Sequence, residues 1–507
     1  MNEASAAAST GDLDAVVKSY DVRGLVGSQL TEPLVEALGA GFVDELDLAG
    51  QEVVVGHDMR DSSPAFAAAF ARGARRRGAN STLIGLCSTD ENYYASGARN
   101  AAAAMFTASH NPASYNGIKM SRAGARSLSY DTGLAAIRDR ARGFLEHGIP
   151  AAEREGAATE ADVLADYAAH LRSLVDLSGI RPLKVVVDAG NGMGGLTAPA
   201  VLGTAAGLEA LPIEIVPMYF ELDGTFPNHE ANPLDPKNLV DLQRAVVEHG
   251  ADLGLAFDGD ADRCFVVDER GEPVSPSSVT AIVAKREIAR VRALGEKTPV
   301  VIHNLIVSRH VPETIEAAGA TAVRTKVGHS LIKAEMARTN AVFGGEHSAH
   351  YYFRDFWSAD NGMLAAMHVL AEAGATDAPL SELAARETPY TASGEINSTV
   401  DDVPAATARV RAAFEGRGVF DEFDGLTVVG ATEASEPFWW FSVRPSNTEP
   451  LLRLNAEAAT PEALERVRDE VLAIIRDETA LAAAAAHDIP QDTTVAAAAA
   501  TTAQENA

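Results

Sequence analysis

The stretch KVVVDAGNGMGG, residues 184–195, decides the fold. A β-branched run, Val185 to Val187, breaks into a small polar loop; an Ala-rich helical segment follows, then a second apolar run, LPIEIVPM, at 211–218. The same pattern starts at Glu52, where EVVVGHDMR leads to ANSTLIGL, and at Thr298, where TPVVIHNLIVSR leads to AAGATAVRT. Short apolar strands alternating with helices read as βαβ units around buried sheets. Three such stretches predict three similar mixed α/β domains in series.

Working outward, the chain changes character near Pro389. SGEINSTV, LTVVGA, PFWWFSVRPS and LLRLNAEA read as strands, with PAATARVRAAFEGRG and PEALERVRDEVLAIIRDE as helices. That order favours an antiparallel sheet backed by two helices, an α+β domain. The expected divisions are α/β domains at 11–155, 156–271 and 272–385 and the α+β domain at 386–480. Residues 1–10 and the Ala-rich run 481–507 read as disordered ends.

Composition narrows the partners. Lys plus Arg number 42 against 71 Asp plus Glu, a net charge of −29. Such acidity repels polyphosphate backbones and anionic headgroups, so nucleic acid and membrane surfaces are poor partners. The chain of 507 residues is too long for one small binding module. Its two cysteines, Cys87 and Cys264, lie in no metal-ligand spacing and suit a reducing compartment. The acidic N-terminus lacks the basic and apolar regions of a signal peptide, and no run has the length of a membrane span, so a cytoplasmic protein is expected.

Four motifs could carry chemistry. In MFTASHNPASYNGIKM, residues 105–120, Ser109 sits beside His110 in a turn held by Asn111 and Pro112, with Asn116 and Gly117 read as a second turn that returns Lys119. A surface turn is one reading; a hydroxyl placed for covalent phosphoryl or acyl carriage is the other. In FDGDADR, residues 257–263, Asp258, Asp260 and Asp262 gather three hard oxygens suited to Mg²⁺ or Ca²⁺. An EF-hand is declined, because its sixth position, counted from Asp258, is Arg263 and the flanks read as strands.

GGEHSAHYYF, residues 344–353, alternates Glu346, Ser348 and His350, either a sugar-binding loop or the polar face of a strand. RPSNTEP, residues 444–450, sets Arg444, Ser446, Asn447 and Thr448 between prolines, either a phosphate clamp or a polar hairpin turn. Other patterns fail. GNGMGG lacks the acidic residue that a dinucleotide site needs at the end of the next strand, GHSLI lacks the second Gly of a nucleophile elbow, and no Gly-Lys dipeptide exists for a Walker loop.

Together, TASHNP with NGIK, DGDADR, GEHSAH and RPSNTEP resemble, in order and spacing, the motifs of the α-D-phosphohexomutases, and of their bacterial phosphomannomutase/phosphoglucomutase branch in particular. The resemblance covers residues 18–475 and implies four domains with the active site in the central cleft. It implies that Ser109 is the phosphoserine and that Asp258, Asp260 and Asp262 bind Mg²⁺, with a phosphoryl oxygen on Ser109 as a further ligand. Lys119 and His110 would assist proton transfer, and Arg23 would join them in catalysis. Tyr20, Arg263, Lys326, His329, Glu346, Ser348 and His350 would bind substrate, with Arg444, Ser446, Asn447 and Thr448 on its phosphate.

The same resemblance implies small hexose phosphates as partners and hexose 1,6-bisphosphate as activator. It also implies a monomer or homodimer and a role in nucleotide-sugar precursor synthesis. The chain departs from the family at Ala349, commonly Gly, and at Thr89-Asp90, commonly Thr-Pro. SNTEP favours mannose phosphate with glucose phosphate second. A phosphoglucosamine mutase or a non-catalytic sugar-phosphate-binding protein of the same fold are the alternatives.

Overall fold

The computed structural model describes residues 13–430, 437–445 and 451–476, without the side chains of His329 and Ser330. The expectations for residues 1–10 and 481–507, and for Ser446, Asn447 and Thr448, lie outside the described residues. The chain divides into two compact units, 1–389 and 390–507.

The first unit contains three sheets, each nucleated by one of the β-branched runs. Glu52–His57, Leu183–Asp188 and Val300–Asn304 are central parallel strands. Their apolar residues Val53–Val55, Val185–Val187 and Val301–Ile302 are buried, and each such side chain contributes about 1.5–3 kcal/mol when fully removed from water. A helix leads from each to a second parallel strand, Asn80–Leu86, Ile213–Met218 or Thr321–Thr325. Another helix leads back to a third parallel strand on the opposite side, Ala102–Phe106, Leu253–Phe257 or Phe343–Gly345.

Here the three sheets do something that the periodicity did not announce. Each third strand folds back antiparallel on a fourth, Tyr115–Arg122, Cys264–Asp268 or Tyr351–Phe353. The same strand order, fourth-third-first-second, recurs in all three sheets. The loops that close these three hairpins carry the Ser109, Asp258–Asp262 and Glu346–His350 motifs, so one repeated topology delivers all three to carboxyl ends of parallel strands, where α/β proteins bind ligands.

Two local readings change. Asn116 and Gly117 are not a turn; they lie in strand Tyr115–Arg122, paired with Gly24 and Arg23 of Val22–Leu25. A Cβ on Gly117 would stand 2.4 Å from the Val22 carbonyl oxygen, so the close strand approach needs glycine. Ala158–Glu160 joins the first sheet beside Asn80–Leu86, beyond the division placed at 155, and Pro273–Val274 joins the second, beyond 271.

The second unit is one antiparallel sheet in the order Thr391–Thr399, Leu451–Ala458, Trp439–Pro445, Leu426–Gly430, Gly418–Asp421. Helices Val403–Ala413 and Pro461–Ile475 contribute Ala406, Val410, Val467 and Val471 to a core with Phe414, Trp439, Phe441 and Leu454. The architecture is the expected one: three mixed α/β domains and a C-terminal α+β domain with an antiparallel sheet.

Candidate active site

Ser109 lies in the loop between Phe106 and Tyr115, buried, with φ of 49°, a left-handed conformation that few side-chain-bearing residues adopt. The loop is held there from behind by Arg60, which the sequence reading passed over as part of HDMR. Its guanidinium donates to the carbonyls of Ser109 (2.9 Å), Asn111 (2.7 Å), Pro112 (2.9 Å) and Tyr115 (3.1 Å) and to Asp58 Oδ2 (3.2 Å). All five of its N–H groups are thereby engaged. Phe226 lies 5.1 Å from the guanidinium, and Asp58 is fixed in turn by the Ser63 hydroxyl. The only signal in sequence is an Asp-x-Arg just past a buried strand.

Phe257 pairs with Cys264, so residues 258–263 form a tight hairpin loop, with Ala261 at φ of 60°. This loop abuts the serine: a Cβ on Gly259 would stand 2.5 Å from the Ser109 carbonyl oxygen. The Ser109 hydroxyl donates to Asp258 Oδ2 at 2.9 Å and lies 3.3 Å from His110 Nδ1. Arg263, expected among the substrate-binding residues, is buried on the serine side of the site. It donates to Asp258 Oδ2 (2.9 and 2.7 Å), to His110 Nδ1 (2.6 Å) and, at 3.5 Å, to Ser109 Oγ. Burial, Arg263 and Arg23 push the His110 imidazole down to about 2, so it is neutral.

Lys119 pairs across the sheet with Met105 and reaches Asp260 Oδ2 at 2.7 Å and Asp262 Oδ2 at 2.5 Å. Burial opposes its charge, but Asp260 and Asp262 outweigh it and hold the ammonium's pKa well above the ordinary range. Thr89, at the start of helix Thr89–Arg99, donates its hydroxyl to Asp260 Oδ2 (2.6 Å) and its N–H to the Asp260 carbonyl (3.0 Å). Asp90 is fully buried, bonded to Ser88 and to the Tyr167 hydroxyl, and burial raises it to about 7.

The three aspartates each present a carboxylate oxygen within 4.8 Å of the others. Asp260 Oδ1 and Asp262 Oδ1 are buried without a hydrogen-bond partner. Orphaned buried carboxylate oxygens are costly unless a cation meets them, so the donor set fits a hard divalent ion.

The remaining expected residues of this unit fall around the same loops. Arg23 donates to Asn111 Oδ1 (2.7 Å) and Asp21 (2.5 Å). Arg263 forms a β-bridge with His350, whose Nδ1 is 3.1 Å from the Ser348 hydroxyl. Glu346 is buried and accepts from the Tyr352 hydroxyl (2.7 Å), Asn304 (3.2 Å) and the Gly328 N–H (3.4 Å). Ala349 stands at φ of 64°, a left-handed backbone conformation that favours glycine. Tyr20 lies against Gly328, in the loop that carries Lys326 and opens helix His329–Thr339; the His329 side chain lies outside the described residues. In the second unit, Arg444 is the penultimate residue of strand Trp439–Pro445, 3.8 Å from Glu395 and 3.9 Å from Asp424.

A serine hydroxyl shared between a carboxylate and a guanidinium, beside an oxygen cluster built for a divalent ion, is the equipment of a phosphoryl-transfer enzyme. Models described as phosphoglucomutase/phosphomannomutase α/β/α domains I, II and III match residues 14–143, 165–271 and 275–390, and the C-terminal domain model matches 395–474. The chain belongs to the phosphoglucomutase/phosphomannomutase family. It is 41% identical over 458 residues to a protein named phosphohexose mutases from Xanthomonas campestris pv. campestris, covering 89% of this chain and 97% of that one. It is 37% identical over 462 residues to a phosphomannomutase of Salmonella typhimurium, with 90% and 97% covered. A solved phosphoglucomutase/phosphomannomutase family protein from Burkholderia thailandensis superposes with a TM-score of 0.79 at 29% identity, covering 91% of this chain and 98% of that one.

Proposed function

We propose that this enzyme interconverts mannose 6-phosphate and mannose 1-phosphate, and glucose phosphates as second substrates, through a phosphoserine at Ser109. The observation that carries the reading is the Ser109 hydroxyl, 2.9 Å from Asp258, in a loop pinned by Arg60 and facing the aspartate cluster. The phosphomannomutase and phosphohexose mutase relatives, 35–41% identical, support the substrate class.

Asp258, Asp260 and Asp262 would hold Mg²⁺, which when bound supplies positive charge against phosphoryl oxygens. The chain's own cations do the rest. Arg263 lies where it can meet the phosphoryl group on Ser109, and Lys119 stays protonated between Asp260 and Asp262. In the forward step the Ser109 Oγ–P bond breaks and a sugar O–P bond forms; Lys119 gives its proton to Oγ and recovers the one that the sugar hydroxyl loses. The product is a hexose 1,6-bisphosphate. It turns over, and its other phosphate returns to Ser109; added bisphosphate would rephosphorylate enzyme that has released its intermediate. Lys119 is the proton donor in this scheme; a neutral His110, a poor base, orients the hydroxyl. Glu346, Ser348 and His350 take sugar hydroxyls, and Arg444 with Ser446, Asn447 and Thr448 takes the substrate's phosphate.

Two buried free cysteines support a reducing cytoplasm, and among the described residues no helix is long and apolar enough to cross a membrane. The test is kcat/KM on the phosphates of mannose, glucose and glucosamine, with Ser109→Ala as control. Mannose first and glucose second is expected, with Ser109→Ala inactive; glucosamine first would replace the substrate reading, and an active Ser109→Ala would remove the nucleophile.

A further inference from the structure

Asp262 belongs to two sets of potential ligands. One is Asp258, Asp260 and Asp262; the other is Asp262, His350 and Asp360, again with ligand atoms all within 4.8 Å. Two carboxylates and an imidazole sharing one aspartate with a neighbouring site is the donor pattern of a two-metal phosphoryl-transfer centre. In this protein a lysine meets one member of the second set, Asp360. Lys333, on helix His329–Thr339, is 6% exposed, and its Nζ lies 2.5 Å from Asp360 Oδ1. The ammonium also lies 4.1 Å from the centroid of the Tyr93 ring. Burial opposes the charge, while Asp360 and Tyr93 raise its pKa, so the ammonium persists.

We propose that Lys333 is a built-in replacement for a second divalent cation: its ammonium neutralises Asp360 and so keeps His350 from metal ligation and free for substrate. This rests on the reading of Asp258, Asp260 and Asp262 as the metal site. An ammonium supplies one positive charge without demanding several oxygen ligands in fixed geometry, so the centre works with one exchangeable ion. Lys333 is thus a positioning residue, acting on His350 through Asp360.

The experiment is Mn²⁺ titration of chelator-stripped full-length protein, by calorimetry for stoichiometry and by electron paramagnetic resonance for spin coupling. Wild type is expected to bind one Mn²⁺, Lys333→Met two with a coupled-pair spectrum, and Lys333→Met/Asp360→Leu one again. Lys333→Met binding a single uncoupled ion would overturn the proposal. If Lys333→Met folds only when Mn²⁺ is added, the proposal is supported. If it stays unfolded at saturating Mn²⁺ while the double variant folds, the pair is structural and the proposal fails. Wild type binding no ion would instead refute the metal reading of the three aspartates, an outcome separate from any gain of one ion on losing Lys333.

Discussion

Replacing Arg60 with Lys keeps a positive charge beside Asp58 but removes the fork. Arg60 uses five donors, four of them on carbonyls between Ser109 and Tyr115, whereas an ammonium has three. At least two buried acceptors lose their donor, at about 1–3 kcal/mol each. We therefore expect about 3 kcal/mol of destabilisation, a melting temperature lower by roughly 5–10 °C. The freed carbonyls belong to the segment that places the Ser109 hydroxyl, and a displacement of about 1 Å there lowers turnover by about a hundredfold. Sugar contacts come from other loops, so KM stays within about threefold. Steady-state kinetics and thermal melting on the same preparations check both parts. Arg60→Lys that melts lower yet keeps kcat within about twofold would show that Arg60 stabilises the fold without positioning Ser109; an unchanged melting temperature would refute the hydrogen-bond accounting itself.

Three further outcomes follow from the geometry. Asp90, raised to about 7 by burial, keeps its proton in the native state between about pH 4 and 7 where the unfolded chain has lost it, so its contribution to stability falls by up to about 4 kcal/mol across that window as pH rises. Asp90→Asn should therefore gain in melting temperature over wild type between pH 5 and pH 8, and a pH-independent difference would contradict this. Gly259→Ala would place a methyl 2.5 Å from the Ser109 carbonyl oxygen; we expect kcat to fall by about a hundredfold with KM little changed, and wild-type kinetics would show that the two loops are not in register. Asp262→Asn should weaken Mn²⁺ binding by at least about tenfold in calorimetry, and a chelator should remove turnover that Mg²⁺ restores; unaltered affinity would take Asp262 out of the ligand set.

Much of this site could be read from sequence because its signals are local. Val53–Val55, Val185–Val187 and Val301–Ile302 mark buried strands by composition alone, and the small polar loops after them interrupt that pattern visibly. What escaped depends on partners far along the chain. Arg60 reads as a surface turn residue until residues 109–115 fold over it, and Lys333 reads as an exposed helical lysine until Asp360 and Tyr93 enclose it. Asn116 and Gly117 look like a turn because their cross-strand neighbour, Val22–Leu25, is nearly a hundred residues earlier. Gly418–Asp421, a partly exposed edge strand, lacks the apolar run that marked the others.

The central claim is that Ser109 carries the phosphoryl group. Intact-mass analysis and peptide mapping after incubation with hexose 1,6-bisphosphate should find one phosphoryl group on wild type, on the peptide containing Ser109, and none on Ser109→Ala. A phosphoryl group on another residue, or none on a turning-over wild-type enzyme, would contradict the account.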